Sequence, residues 1–360
     1  MSTISLSGPY LLGSLQLKNR VVMAPLTRSR AEGNVPNALM ALYYAQRSEA
    51  GLIITEGTSP AAAGLGYPRI PGLFLPEHSK AWKEVTKAVH AEGAKIFVQL
   101  MHTGRVSHVL NLPQGAEVLA PSALPLSGQV YTDSAGLQPY SPPKAMSEAE
   151  IEAAIESYVH ASKLAIEAGF DGVELHAANG YLIEQFINPT SNQRTDAWGG
   201  SIAKRLRFPL EIARRVSAAI GSARVGIRIS PYGVFNDMGL YPEIDETYAL
   251  LATELSKLGL VYLHVVDHSS MGAPAPSEAL KAQLRKLFQG TYILSGGYDK
   301  SRAESDLNAK KGDLVAFGRA FIANPKLVSC LTSGRELAQP DPSTFYTPGP
   351  VGYTDYPDLP

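Results

Sequence analysis

Short runs of β-branched and other apolar residues recur along the chain, separated by stretches of helical periodicity. This alternation predicts β/α units rather than a sandwich of two sheets. The runs lie at residues 20–26, 52–57, 95–102, 172–177, 225–230, 261–267, 291–296 and 314–318. Eight repeats predict a (β/α)8 TIM barrel, an α/β fold in a single domain. The intervening helices carry their own punctuation. A helix over 147–168 opens on Ser147 and Glu150, the spacing of a capping box, and stops at Gly169; another over 76–92 stops at Gly93. Two segments break the alternation. Residues 103–145, rich in proline, serine and glycine, are too long for a plain connector and are read as a lid or pocket wall. Residues 1–335 are therefore expected to form the barrel domain, and 336–360 a tail packing over it.

Enzymes of this architecture build their sites where the strands end. The residues there are polar: Thr27, Gln99, His102, His176 with Asn179 and Tyr181, Arg228, and the pairs Gly296-Gly297 and Gly318-Arg319. Strand alternation turns Val173, Leu175, Ile227 and Ile229 outward and Glu174, His176 and Arg228 inward, with Glu56 a further inward carboxylate. An arginine inside a barrel needs an anion, either Glu174 on the neighbouring strand or a negatively charged ligand, and alternation and adjacency give the expectation of a buried Glu174–Arg228 pair. A doubly wound sheet would place its glycine-rich phosphate turn after the first strand, but Ala24-Pro25-Leu26-Thr27-Arg28 stands there. The glycines follow runs seven and eight instead, where barrels commonly bind a phosphate, and Arg319 adds a fixed positive charge.

Composition narrows the ligand. The 360 residues carry a net charge of -1 with no basic cluster, which argues against nucleic acid or anionic lipid as partner and favours a small molecule. Cys330 is the single cysteine, so no intramolecular disulfide or cysteine-rich metal site is expected, and no paired-histidine spacing marks a metal centre. Residues 1–13 show no leader pattern and no apolar run reaches membrane-spanning length, giving the expectation of a soluble, cytoplasmic protein.

Taken together these residues resemble the Old Yellow Enzyme family of flavin ene-reductases. The likeness runs from KNRVVMAPLTRSRA (18–31) through LIITEGT, FVQLMHTGR and HAANGYLIEQF (176–186) to RTDAWGGS (194–201), IRISPYGVFND (227–237), AFGRAFIANP (316–325) and GYTDYP. The resemblance implies noncovalently bound FMN, NADPH or NADH as hydride donor, an enone or enal as substrate, and a monomer or homodimer. It assigns Pro25, Thr27, Gly57, Gln99 and Arg228 to the flavin ring and Gly296, Gly297, Gly318 and Arg319 to its phosphate. His176 and Asn179 would donate to the substrate carbonyl and Tyr181 would protonate the α-carbon. Tyr67, Met101 and Tyr346 would line the substrate side, with Met101 standing where many relatives carry tryptophan. His102, His264 and Asp267 also end strands but are read as structural. Two other readings stay open here: a flavin-binding barrel that does not catalyse, and a flavin-free barrel acting on a phosphorylated metabolite.

Overall fold

The computed structural model describes residues 4–357. Eight parallel strands close into a barrel: β1 (Val21–Met23), β2 (Leu52–Thr58), β3 (Lys95–Leu100), β4 (Gly172–Ala177), β5 (Val225–Ile229), β6 (Tyr262–Val266), β7 (Thr291–Ser295) and β8 (Leu314–Phe317). Each coincides with one of the runs read from the sequence, β2 extending one residue past its run, and each pairs with its chain neighbours, β8 closing onto β1. The main outer helices are α1 (Ala38–Gln46), α2 (Pro76–Ala91), α3 (Glu148–Glu167), α4 (Arg207–Ile220), α5 (Ile244–Lys257), α6 (Glu278–Leu287), α7 (Lys300–Asn308) and α8 (Leu327–Ser333). Local chemistry starts them. Ser147 and Glu150 make the reciprocal capping box of α3, and the side chains of Asn37, Ser277 and Asp299 cap α1, α6 and α7. No described helix is long and apolar enough to cross a membrane.

Two apolar regions follow from the alternation. Val173, Leu175, Ile227 and Ile229 face outward into the core between strands and helices. Inside the barrel, Val22, Leu52, Ile54, Phe97, Tyr262, Ile293 and Leu314 pack together with Leu12 and Leu17. These last two come from an antiparallel hairpin of Tyr10–Leu12 and Leu15–Leu17 that stoppers the end where the strands begin. Gly226 faces this interior, where a β-carbon would lie 2.2 Å from the Tyr262 ring, so the glycine is what lets the tyrosine fill the barrel.

Two expectations fail, each for a geometric reason. Glu56 does not point into the barrel: β2 shifts register between Ile54 and Gly57, and the bulge aims the carboxylate at the Arg28 backbone N–H (3.2 Å) and the Tyr44 hydroxyl of α1 (3.3 Å). Nor do Glu174 and Arg228 form an ion pair. Register sets Glu174 beside Gly226 and His176 beside Arg228, which lifts the arginine one layer above the carboxylate. Glu174 instead accepts from Gln99 Nε2 at 2.8 Å and meets His264 Nδ1 at 2.8 Å.

Residues 103–145 carry a hairpin, Gln129–Thr132 with Gly136–Pro139, and a short parallel pair, Leu119–Ala120 with Lys144–Ala145. The tail returns to the first β/α unit. Arg28, Arg30 and Arg47 are buried and reach tail carbonyls: Arg28 at Gly352 (2.6 Å) and Phe345, Arg30 at Thr344, Phe345, Gly349 and Val351, Arg47 at Tyr353 (3.3 Å). Tyr353 stacks on Tyr43 of α1, ring centroids 4.0 Å apart.

Candidate active site

The turn that follows β4 brings His176, Asn179 and Tyr181 together. Asn179 takes a positive φ of 62°, and its conformation is over-determined. Its N–H donates to Ser230 Oγ (3.0 Å), its carbonyl accepts from Asn236 Nδ2 (2.7 Å), and its side-chain Oδ1 lies 2.7 Å from His268 Nε2. Ser230 donates to Glu184 (3.0 Å), which also accepts from Gly180 N–H and the Tyr248 hydroxyl. Burial pushes the Glu184 carboxyl up to about 7. The loop 103–145 leans on the same turn: Arg105 donates to the carbonyls of Asn236 and Asp237, and Ser127 donates to the Asp237 carboxylate.

Tyr181 caps the short helix Leu182–Ile187; its ring meets His176 edge-on at 4.9 Å, and its hydroxyl lies 3.1 Å from that of Tyr67. Burial raises the Tyr181 hydroxyl to about 12 and the Tyr67 hydroxyl well above its ordinary value, so both keep their protons at neutral pH. His176 is driven the other way, well below its usual value, by burial first and then by Arg228, His264 and His268, so its ring is neutral. Beside these groups lies an apolar wall. Met101 packs with Leu65, Ile70, Leu112 and Val118, with Tyr67 and Tyr181 against them. Gly57 is part of this contact, since a β-carbon there would sit 2.5 Å from Met101 Sδ. Tyr346 lies at the rim, 61% exposed, its carbonyl accepting from Arg69.

The remaining sequence-derived residues surround the same strand ends. Gln99 spends one amide N–H on Glu174, leaving its second N–H and its carbonyl oxygen. Pro25 and Thr27 are half-buried after β1, and the Thr27 hydroxyl has no protein partner among the described residues. Arg228 is buried with no hydrogen-bonding partner for its Nε. Burial lowers the pKa of its guanidinium, and the charge on Glu174 opposes the shift. After β7, Gly296 (φ 127°) and Gly297 (φ 62°) occupy conformations that exclude side chains: a β-carbon on Gly296 would lie 2.1 Å from the Asp267 carbonyl and one on Gly297 2.7 Å from Ser270. None of the N–H groups of Gly296, Gly297, Gly318 and Arg319 donates to a protein acceptor among the described residues. Arg319 is exposed, its only described contact being Met271 Sδ.

These features fit FMN. Four unpaired N–H groups and an exposed arginine suit a phosphate, and a buried, unpartnered guanidinium with a half-free carboxamide suits the electron-rich pyrimidine edge of a flavin. The histidines and aspartate read as structural have local partners: His102 Nδ1 accepts from Gly104 N–H, His264 meets Glu174, and Asp267 pairs with Lys281 at 2.8 Å. The sequence reading omitted His268, although it immediately follows the strand-end Asp267 that the same rule had flagged.

The whole chain has counterparts among known proteins. The model of the NADH:flavin oxidoreductase / NADH oxidase family matches residues 5–338. 12-oxophytodienoate reductase 7 of Oryza sativa subsp. japonica is 40% identical over 372 residues, which cover 98% of this chain and 94% of that protein. Among solved structures, morphinone reductase in complex with tetrahydroNAD matches with a TM-score of 0.93 at 45% identity, covering 98% of this chain and 97% of that one. The old yellow enzyme homologue from Zymomonas mobilis matches with a TM-score of 0.94 at 38% identity, covering 99% of this chain and 100% of that one. A family match of this extent agrees with the motifs, the closed barrel and the flavin-shaped set of donors: the chain belongs to the NADH:flavin oxidoreductase / NADH oxidase family, as an Old Yellow Enzyme type of flavin-dependent oxidoreductase.

Proposed function

We propose that the protein is an ene-reductase that reduces the carbon–carbon double bond of α,β-unsaturated aldehydes and ketones, with NADPH or NADH as hydride donor. The observation that carries this reading is the end of β4 and the turn after it, which set a neutral histidine, a fixed carboxamide and a protonated tyrosine beside an apolar wall. Bound FMN supplies the two-electron chemistry that links nicotinamide to substrate. Pro25, Thr27, Gly57, Gln99 and Arg228 hold its ring, and Gly296, Gly297, Gly318 and Arg319 its phosphate.

His176 and Asn179 donate to the substrate carbonyl oxygen. Their hydrogen bonds polarise the double bond and strengthen as the oxygen becomes enolate-like, which stabilises the transition state more than the ground state. Because His176 is neutral, it binds the oxygen as a hydrogen-bond donor without surrendering a full proton. Tyr181 supplies the proton at the α-carbon. Its raised pKa keeps it protonated across the physiological range, and the Tyr67 hydroxyl beside it provides a hydrogen-bonding partner when the proton leaves. Met101 and its apolar neighbours hold the hydrocarbon body of the substrate, and Tyr346 at the rim closes over its outer edge.

The decisive measurement separates the two half-reactions. The purified protein should show a flavin absorption band that NADPH bleaches without oxygen and that cyclohexenone then restores, with cyclohexanone as product. A band that NADPH bleaches and the enone leaves bleached would contradict the ene-reductase reading.

A further inference from the structure

The carbonyl-gripping role of Asn179 depends on which end of its amide faces the substrate. A carboxamide can present N–H or C=O, and only the N–H end attracts a carbonyl oxygen. Within the turn, the backbone contacts of Asn179 fix its main chain but not this choice. Among the described residues, the one side-chain contact that does is His268, whose Nε2 lies 2.7 Å from Asn179 Oδ1. We propose that His268 is a positioning residue: by donating its Nε2–H to Asn179 Oδ1, it turns the amide so that Nδ2 faces the substrate carbonyl. The proposal rests on the reading of Asn179 as a carbonyl donor and extends it by one residue.

The geometry around His268 supports a single state. The side chain is 4% exposed, and its ring meets Phe235 edge-on at 4.8 Å, which fixes the imidazole plane. Burial, with the positive charge of Arg228, holds its pKa down at about 4, against a weaker opposing pull from Asp267. The ring is therefore neutral at working pH and carries one proton. Its Nδ1 is buried without a partner. A proton there would strand a buried N–H, whereas a proton on Nε2 leaves only a lone pair unpaired and makes the bond to Asn179. With that tautomer, Asn179 must present Oδ1 to His268 and Nδ2 to the opposite side. Main-chain tethers to Ser230 and Asn236 prevent the amide from escaping by moving the turn.

Phenol titration of the oxidised holoenzyme tests this, since a phenolate oxygen occupies the carbonyl position and gives a long-wavelength band against the flavin. His268→Phe keeps the ring against Phe235 and removes the donor; His268→Gln restores an N–H of similar reach. The Phe variant should bind phenol about ten-fold more weakly and the Gln variant within about three-fold of the parent, as expected for one hydrogen bond. FMN content and reduction by NADPH should stay at parental levels in both. On an Asn179→Ala background, His268→Phe should cause no further loss. Parental phenol affinity in His268→Phe, where Asn179→Ala is weakened, overturns the positioning role alone, as do equal losses in the Phe and Gln variants or additive losses in the double variant. If Asn179→Ala itself binds phenol like the parent, the carbonyl-donor reading falls and takes this proposal with it.

Discussion

The two ends of the barrel are built on opposite terms. Where the strands begin, Leu12, Leu17, Val22, Leu52, Phe97 and Ile293 pack into one apolar plug and the hairpin stoppers it. Where the strands finish, Arg228 Nε, His176 Nδ1 and His268 Nδ1 are buried with no partner among the described residues. Leaving a buried polar atom unpaired costs about 1–3 kcal/mol, so the strand-end region is tolerated at the expense of the stability that the opposite end supplies. The plug holds the fold; the strand ends hold the site. A change at one end should therefore leave the other's property alone.

The largest effect should come from the chemistry itself. Tyr181→Phe should slow reoxidation of the NADPH-reduced enzyme by cyclohexenone by about 10²–10⁴-fold, the usual worth of a general acid, with FMN content and reduction unchanged. Stopped-flow kinetics of the two half-reactions would read this, and parental reoxidation would mean another proton source. At the opposite end, Leu17→Ala should cost about 2–5 kcal/mol of stability in denaturant unfolding while flavin affinity stays put. A variant that lost flavin in proportion would show the ends to be coupled. Arg228→Met sharpens the contrast by reversing its sign. It removes a buried cation with no ion-pair partner among the described residues, so apoprotein stability should hold or rise. Flavin binding should nevertheless weaken by about 1.5–3 kcal/mol, the worth of charge-assisted hydrogen bonds, in a titration of apoprotein with FMN. Arg319→Ala should give the smallest change, a lower flavin retention on dialysis that shrinks further at high salt because the side chain is exposed. Full retention at low salt would remove Arg319 from the phosphate site.

The barrel was legible because each strand is a β-branched run whose two faces are apolar for different reasons, outward against helices and inward against the plug. Val173 and Ile227 betrayed their orientation by alternation alone. Alternation also misled. It placed Glu174 beside Arg228, but Gln99 on the neighbouring β3 and His264 on β6, which reaches across β5 through the barrel interior, claim the carboxylate. It assigned Glu56 inward because a bulge leaves no mark in a pattern of period two. The site residues were visible through motif and strand end. His268 was not, because its part depends on a contact with Asn179 across 89 positions of sequence. The three tail-binding arginines were equally hidden, since backbone carbonyls, their partners, have no residue identity to read.

Those arginines set an order on how the chain is completed. Arg28, Arg30 and Arg47 belong to the first β/α unit, yet Arg28 and Arg30 donate mainly to carbonyls at 344–352 and Arg47 to those of Phe321, Ile322 and Tyr353, some 270–320 positions later. Contacts of such separation form late, after loop closure has been met elsewhere in the fold. During synthesis the opening unit therefore emerges with three guanidinium groups that must stay in water, and it can bury them only once the closing segment has left the ribosome. The first part of the barrel to be made is thus among the last to be finished, and a chain ending before Thr344 would lack the tail carbonyls that receive the Arg28 and Arg30 guanidinium groups.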